Sequence, residues 1–200
     1  MEELGDSVPD MWARIYDSSV TPDPDLVPMT PSDKSLVWLL VALNAHPSNV
    51  PQWFQKNIVE YDYFTGYNLT HQFATLVAQE FIWEDYDFGS ERATRLDELA
   101  RRIADEEDSA CVSDENCCVD LYAERIHFLI IAGYEGLVKR EWVQRLLDAR
   151  LENGLWSFYS IENKHSWHPT HLGMWAVASY QGILQRGEEE RQDMVGFIRE

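Results

Sequence analysis

Two histidines occupy equivalent places in two similar segments of the sequence. The segment from Tyr67 to Ala78 is matched, 100 residues later, by the segment from Trp167 to Ala178. Each begins with an aromatic residue and continues with Thr-His into an apolar helix, which places His71 and His171 at corresponding helix starts. Because the positive end of a helix dipole disfavours imidazolium, both rings are predicted to be neutral, as a metal ligand or general base must be.

Three roles are open to this histidine pair. The first is structural, as capping or hydrogen-bonded core residues at a repeated helix start. The second is a polar ligand site or active site, if the two segments pack around a shared axis. The third is a metal site, because His165, His168 and His171 recur at every third position. Pro169 interrupts that helix start, however, and the zincin pattern is absent, so we predict no bound metal and no cofactor.

Carboxylates and aromatic residues extend the candidate pocket. Glu124 follows Asp120 by four residues on a predicted helix, and Asp62 precedes the first Thr-His segment. Paired carboxylates can serve glycoside chemistry, one as acid and the other as base or nucleophile. No catalytic residue is assigned. The candidate ligand-pocket residues are His71, His171, His168, Trp156, Trp175, Tyr67, Asp62 and Glu124.

Charge and missing motifs narrow the function classes. The net charge of −19 leaves no basic footprint for nucleic acid and disfavours an anionic membrane surface. No apolar run is long enough to span a bilayer. Phosphate-binding glycine loops, the dinucleotide fingerprint, the nucleophile elbow and the kinase motifs are all absent from the sequence. A small molecule or a glycan is therefore the expected partner.

Helical periodicity predicts the elements that position these residues. Five prolines make residues 1–32 an irregular lead-in, and residues 33–200 are predicted to form a single helical domain. A surface helix over about 90–108 separates repeat one, about 33–83, from repeat two, about 119–184, which carries an 11-residue loop insertion. We expect an all-α fold of antiparallel helical hairpins that form a partial, toroid-like α/α barrel with two pseudo-repeats. In this fold Asn68 and His168 are expected to be helix caps, with Pro169 at the first helical position.

Several short motifs follow one another in the second half of the chain. They are Cys117 to Glu124, Gly133 to Leu137, Trp142 to Leu147, Gly154 to Trp156 and the Pro-Thr-His run at 169–171. Together they resemble an uncharacterised animal family of secreted proteins named for a chromosome-16 open reading frame, mainly over residues 111–181. The helix–loop–helix rhythm is also similar to that of α/α-toroid proteins, which include terpenoid cyclases and polysaccharide-active enzymes.

The resemblance implies an extracellular protein of unknown activity, and it transfers no catalytic residue. The first residues lack the basic and apolar parts of a signal peptide, so a cytoplasmic location is the alternative. Spacing alone leaves open a local disulfide or three reduced thiols, whereas the resemblance implies one disulfide, Cys111 with Cys117 or Cys118. We therefore expect a non-catalytic binding or structural protein; the alternative is a carbohydrate-active hydrolase or lyase with a His-lined aromatic pocket.

Overall fold

The computed structural model describes residues 14, 19–28, 35–110, 118–158 and 164–198. Within these ranges the chain is helical and has no β-strand, which confirms the expected all-α class. The α-helices of the described residues are α1 (Ser35–Asn44), α2 (Gln52–Gln55, continued by a π-helix, Lys56–Glu60), α3 (Gly66–Ile82), α4 (Gly89–Ala110), α5 (Val119–Ile131), α6 (Arg140–Asp148) and α7 (Trp167–Ile198). None of the helices in these ranges is long and apolar enough to cross a bilayer.

The chain divides into two compact units, where the sequence predicts a single helical domain over residues 33–200. Unit 1 is Met1–Leu99 and unit 2 is Ala100–Glu200, so the boundary lies inside α4. A similar run of elements occurs inside each unit. A helix is followed by a 3₁₀ turn, a short helix and a longer helix, and the first of these packs on the last: α1 on α3, and α5 on α7.

Unit 1 is built on the apolar helix α1. Trp38 and Leu43 are fully buried, as are Phe73 and Leu76 on α3, the helix against which α1 packs. Part of the lead-in docks at the end of α1, because the backbone N–H of Asp23 donates to the side chain of Asn44 over 3.1 Å. Of the predicted irregular segment 1–32, most residues lie outside the described ranges.

A buried polar side chain fixes the way into α3. Gln72 has no solvent exposure, and its Nε2 donates to the carbonyls of Asn57, Ile58 and Tyr61 over 3.3, 3.0 and 2.9 Å. These carbonyls belong to the end of the π-helix, where backbone acceptors lack helical partners. One amide group therefore ties the end of that segment to α3.

Unit 2 encloses an ion pair in its core. Arg125 of α5 and Glu107 of α4 are each 1% exposed and 3.0 Å apart, and Glu106 lies 2.5 Å from the same guanidinium. A guanidinium that leaves water must be compensated by acceptors of this kind. Burial raises the pKa of Glu107, and the charge and hydrogen bond of Arg125 oppose this rise and favour the carboxylate.

Both long-helix starts differ from the predicted ones. Helix α3 begins at Gly66 with Thr65 as its cap, and α7 begins at Trp167. Asn68 and His168, predicted as caps, therefore lie inside the first turns, and that prediction was wrong. The first N–H groups of a helix have no helical acceptor, so Pro169 is tolerated at the third position as well as at the first.

The described residues contain no disulfide. Cys118, half-buried just before α5, is the cysteine that they include, while Cys111 and Cys117 lie outside the described ranges. The implied disulfide therefore stays a prediction.

Candidate functional site

Two acidic side chains of α5 lie on one face of the helix and are buried. Asp120 and Glu124 are four residues apart, which puts them one above the other because a helical turn takes 3.6 residues. Both belong to the surface that α5 buries in unit 2. Burial of acidic side chains is costly unless a partner or a cation compensates it.

A histidine from α7 completes a cluster with these carboxylates. His168 Nε2 lies 3.5 Å from Glu124 Oε1 and 3.6 Å from Asp120 Oδ1. One potential ligand atom of each residue lies within 4.8 Å of the other two. The His168 side chain is 58% exposed, so this carboxylate–histidine cluster (Asp120, Glu124 and His168) has two buried members and one at the surface.

The loop before α7 holds His168 in place. Trp156 is buried, its Nε1–H donates to the carbonyl of Leu146 over 2.7 Å, and its backbone exchanges two 3.2 Å hydrogen bonds with the hydroxyl of Thr170. Two residues later, the carbonyl of Phe158 accepts from the N–H of Val119 over 2.9 Å. The loop therefore connects the beginnings of α5 and α7, the two places from which the cluster is built.

Close packing of α7 on this loop depends on Gly173. A Cβ at this position would lie 2.7 Å from the indole ring of Trp156, closer than real carbon contacts allow. Because Gly173 has no side chain, the Trp156 indole can pack directly against the second turn of α7.

The carboxylates change the protonation of His168. The contact with Glu124 raises the pKa of His168; burial of the ring opposes this rise, and the negative charges of Asp120 and Glu124 add to it. The imidazolium form is favoured by these neighbours, in contrast to the neutral ring that a helix start alone favours.

Exposed aromatic rings continue from the cluster along α7. Trp167, His171 and Trp175 recur every fourth residue, with ring centroids 5.7 Å and 6.4 Å apart. Trp167 is 75% exposed and Trp175 is 39% exposed. We call Trp167, His171 and Trp175 the aromatic row; a further ring, that of Phe158, lies 6.4 Å from the ring of His168.

The predicted site residues fall into the two units. Unit 2 holds His168 and Glu124, which are in contact, together with His171, Trp175 and the buried Trp156. Unit 1 holds the other three. His71 is 9% exposed with its ring 5.7 Å from that of Tyr67, and Asp62 forms a 2.5 Å ion pair with Arg95. The repeated histidines therefore have different surroundings, since His71 is buried and His171 is exposed.

Sequence reasoning missed a second feature, a cavity of about 290 Å³ in unit 1. His46 and Trp83 meet there edge to face, with ring centroids 5.0 Å apart. The guanidinium of Arg14 lies 4.7 Å above the Trp83 ring and donates to the carbonyl of Leu43. The acidic and aromatic run after α3 was the available signal. The cavity is lined by Ser19, His46, Ile82, Trp83, Glu84, Asp85 and Tyr86.

The chain matches no family model, no curated protein and no solved structure. The arrangement of its own side chains therefore carries the functional argument. On these grounds the protein is an all-α chain of two units, of which the second presents a carboxylate–histidine cluster beside exposed aromatic rings.

Proposed function

We propose that this protein is an extracellular, non-catalytic binding protein and that its ligand is a glycan or a similar small polyhydroxylated molecule. The observation that carries the proposal is the aromatic row on α7 next to the carboxylate–histidine cluster. Exposed tryptophan offers an apolar face against which a sugar ring can stack, while carboxylates and imidazole accept or donate hydrogen bonds to hydroxyls. Exposed aromatic rings gathered in one row, rather than scattered singly, are typical of binding surfaces.

The positions of the carboxylates favour binding over glycoside hydrolysis. In glycosidases the two catalytic carboxyl groups flank the scissile bond. Asp120 and Glu124 instead belong to one face of one helix and are buried, so both lie on the same side of any ligand. The specific observation that supports the hydrolase or lyase alternative is His168, whose raised pKa and partial exposure suit a proton donor.

Glycan-array screening followed by calorimetry on the best oligosaccharide tests the proposal. Trp167→Ala removes the most exposed ring of the row and is expected to weaken binding at least tenfold without changing stability. Leu184→Ala is the matched control, because Leu184 is an exposed apolar residue of the same helix about 25 Å further along. Absence of any oligosaccharide binding, or equal affinity in both variants, refutes the proposal. Release of reducing ends by the wild type that His168→Ala abolishes supports the enzyme instead.

The fold proposal is a partial α/α barrel in which units 1 and 2 are pseudo-repeats of antiparallel hairpins. Three observations support it: the shared order of elements, the matching helix pairs, and the equal 5.7 Å spacing of the Tyr67–His71 and Trp167–His171 rings. A crystal structure in which α1–α3 does not superpose on α5–α7 contradicts it. The extracellular location predicts one disulfide, and three thiols titrated in the denatured, unreduced protein argue against it.

A further inference from the structure

The contacts inside the carboxylate–histidine cluster are too long for strong ion pairs. The His168 Nε2 atom lies 3.5 Å from one carboxylate oxygen and 3.6 Å from the other. Charge-assisted N–H···O bonds are about 2.7–2.9 Å long. Ligand atoms around a tetrahedral ion with bonds of about 2.1 Å lie about 3.4 Å apart. The two histidine–carboxylate separations therefore fit edges of a metal coordination shell better than a direct ion pair, and the two carboxylates lie within 4.8 Å of each other.

The donor set and its setting also suit a cation. Imidazole nitrogen and carboxylate oxygen are ligands of zinc and of the neighbouring divalent ions, and two carboxylates balance the charge of a dication. The two carboxylates are presented by α5 from a buried face, and the imidazole by the first turn of α7, which the Trp156–Thr170 hydrogen bonds tie to its preceding loop. Donors on rigid elements are what a preorganised metal site requires.

We propose that Asp120, Glu124 and His168 bind a divalent transition-metal cation of the zinc class. Three protein ligands leave one position of a tetrahedral ion open, as in zinc sites that act on or hold a ligand. The 58% exposure of the His168 side chain puts one side of the cluster at the surface, from which a ligand is expected to reach the open position. This inference deepens the proposed function. It rests on that function in one respect, because the ligand at the open position is a hydroxyl group of the bound sugar.

Calorimetric titration of the chelator-treated protein with Zn²⁺ tests the metal site without any sugar. One ion per chain is expected. His168→Ala, which removes an exposed side chain and leaves the buried face intact, is expected to lower the affinity at least tenfold, and Glu124→Gln to do the same. Circular dichroism of each variant checks that it is folded. If Glu124→Gln does not fold, His168→Ala alone decides the outcome.

Matched variants separate this site from other ligands of zinc. His165→Ala removes an exposed histidine three residues away, and Glu152→Gln removes an exposed carboxylate of the same unit; both are expected to bind Zn²⁺ as the wild type does. The triple variant Cys111→Ser, Cys117→Ser and Cys118→Ser removes the thiols, which are themselves strong zinc ligands, and is also expected to leave binding unchanged. Loss of binding in this variant while circular dichroism shows it to be folded, or unchanged affinity in His168→Ala, overturns the inference.

The two proposals fail in different ways. Zn²⁺ binding with no oligosaccharide binding removes the proposed function and leaves the metal site standing. Oligosaccharide binding that persists in the presence of chelator, together with no Zn²⁺ titration, removes the metal site and leaves the proposed function standing.

Discussion

Gly173 offers the sharpest test of how unit 2 holds its candidate site. An alanine Cβ at this position would lie 2.7, 2.9 and 3.0 Å from three ring carbons of Trp156. Carbon atoms in contact prefer about 3.5–4.0 Å, so the indole or the helix must give way by close to 1 Å. The indole is not free to do so, because its N–H is bonded to Leu146 over 2.7 Å and its backbone to Thr170.

The expected magnitude follows from two opposing effects. Overpacking of this kind costs about 1–3 kcal/mol, and loss of the indole hydrogen bond adds about 1 kcal/mol. Alanine is the better helix former by about 1 kcal/mol. Gly173→Ala should therefore lower the free energy of unfolding by about 1–3 kcal/mol, which for a chain of this size is a fall in Tm of roughly 2–12 °C.

Urea and thermal denaturation, followed by circular dichroism, measure this effect. Gly182→Ala is the matched control on the same helix, because its Cβ would meet only Arg186 Nη1 at 3.8 Å. That variant should be as stable as the wild type or more stable, by up to about 1 kcal/mol. The packing argument is refuted if Gly173→Ala stabilises the protein as much as Gly182→Ala does.

Three further predictions concern other buried polar groups. Burial lowers the pKa of His127 to about 4, below the value of 6.5 in the unfolded chain. The folded protein therefore holds this ring in its neutral form. The contribution of His127 to the free energy of unfolding is complete above pH 6.5 and is lost as the pH falls towards 4. Denaturation at several pH values should show that the free energy of unfolding of the wild type falls by at most about 3 kcal/mol over this range because of His127. The variant His127→Gln should lack this part of the pH dependence. Gln72→Ala removes the side-chain donor to the carbonyls of Asn57, Ile58 and Tyr61, the last of which also accepts from Arg95, and should cost about 1–3 kcal/mol in urea denaturation. Gln52→Ala, on an exposed residue, should cost less than about 0.5 kcal/mol. Arg125→Ala leaves the Glu107 carboxyl buried without its cation and should cost about 3–5 kcal/mol; the double variant with Glu107→Ala should recover part of that loss, and no recovery contradicts the pairing.

The helices were predictable because their signals are local. The apolar period of three to four residues marks α4 through Leu96, Leu99 and Ile103, all of which are buried. The starts of α3 and α7 were misplaced because the first helical turn accepts many residues, proline included. Cap residues alone therefore locate a helix end less well than its apolar face locates the helix.

The candidate site was only half visible in the sequence. The i,i+4 spacing of Asp120 and Glu124 gives a shared helix face, but their contact with His168 joins residues more than 40 positions apart. Such a contact depends on how α5 packs against α7, which no local pattern specifies. Trp156 was predicted to line a ligand pocket, and the structure places its indole in the space that Gly173 leaves. A glycine inside an apolar helix was the one local signal of that close approach.

Helix α5 carries two sets of buried polar side chains, Arg125 on the one hand and Asp120 with Glu124 on the other. Their surroundings differ, and the difference distinguishes a structural role from a functional one. Arg125 and Glu107 are both enclosed, and the cation that balances the carboxyl is part of the chain, so the pair has no use for a ligand. Asp120 and Glu124 are enclosed as well, but one group that contacts both of them, His168, lies at the surface near the exposed ring of Phe158. Replacing buried polar groups by apolar ones is often neutral or stabilising, so folding alone gives little reason to keep an open cluster of this kind. Departures from the usual sequence rules, such as the burial of acidic side chains, are expected mainly at functional sites. This cluster is such a departure, because it holds two buried carboxylates against a histidine at the surface.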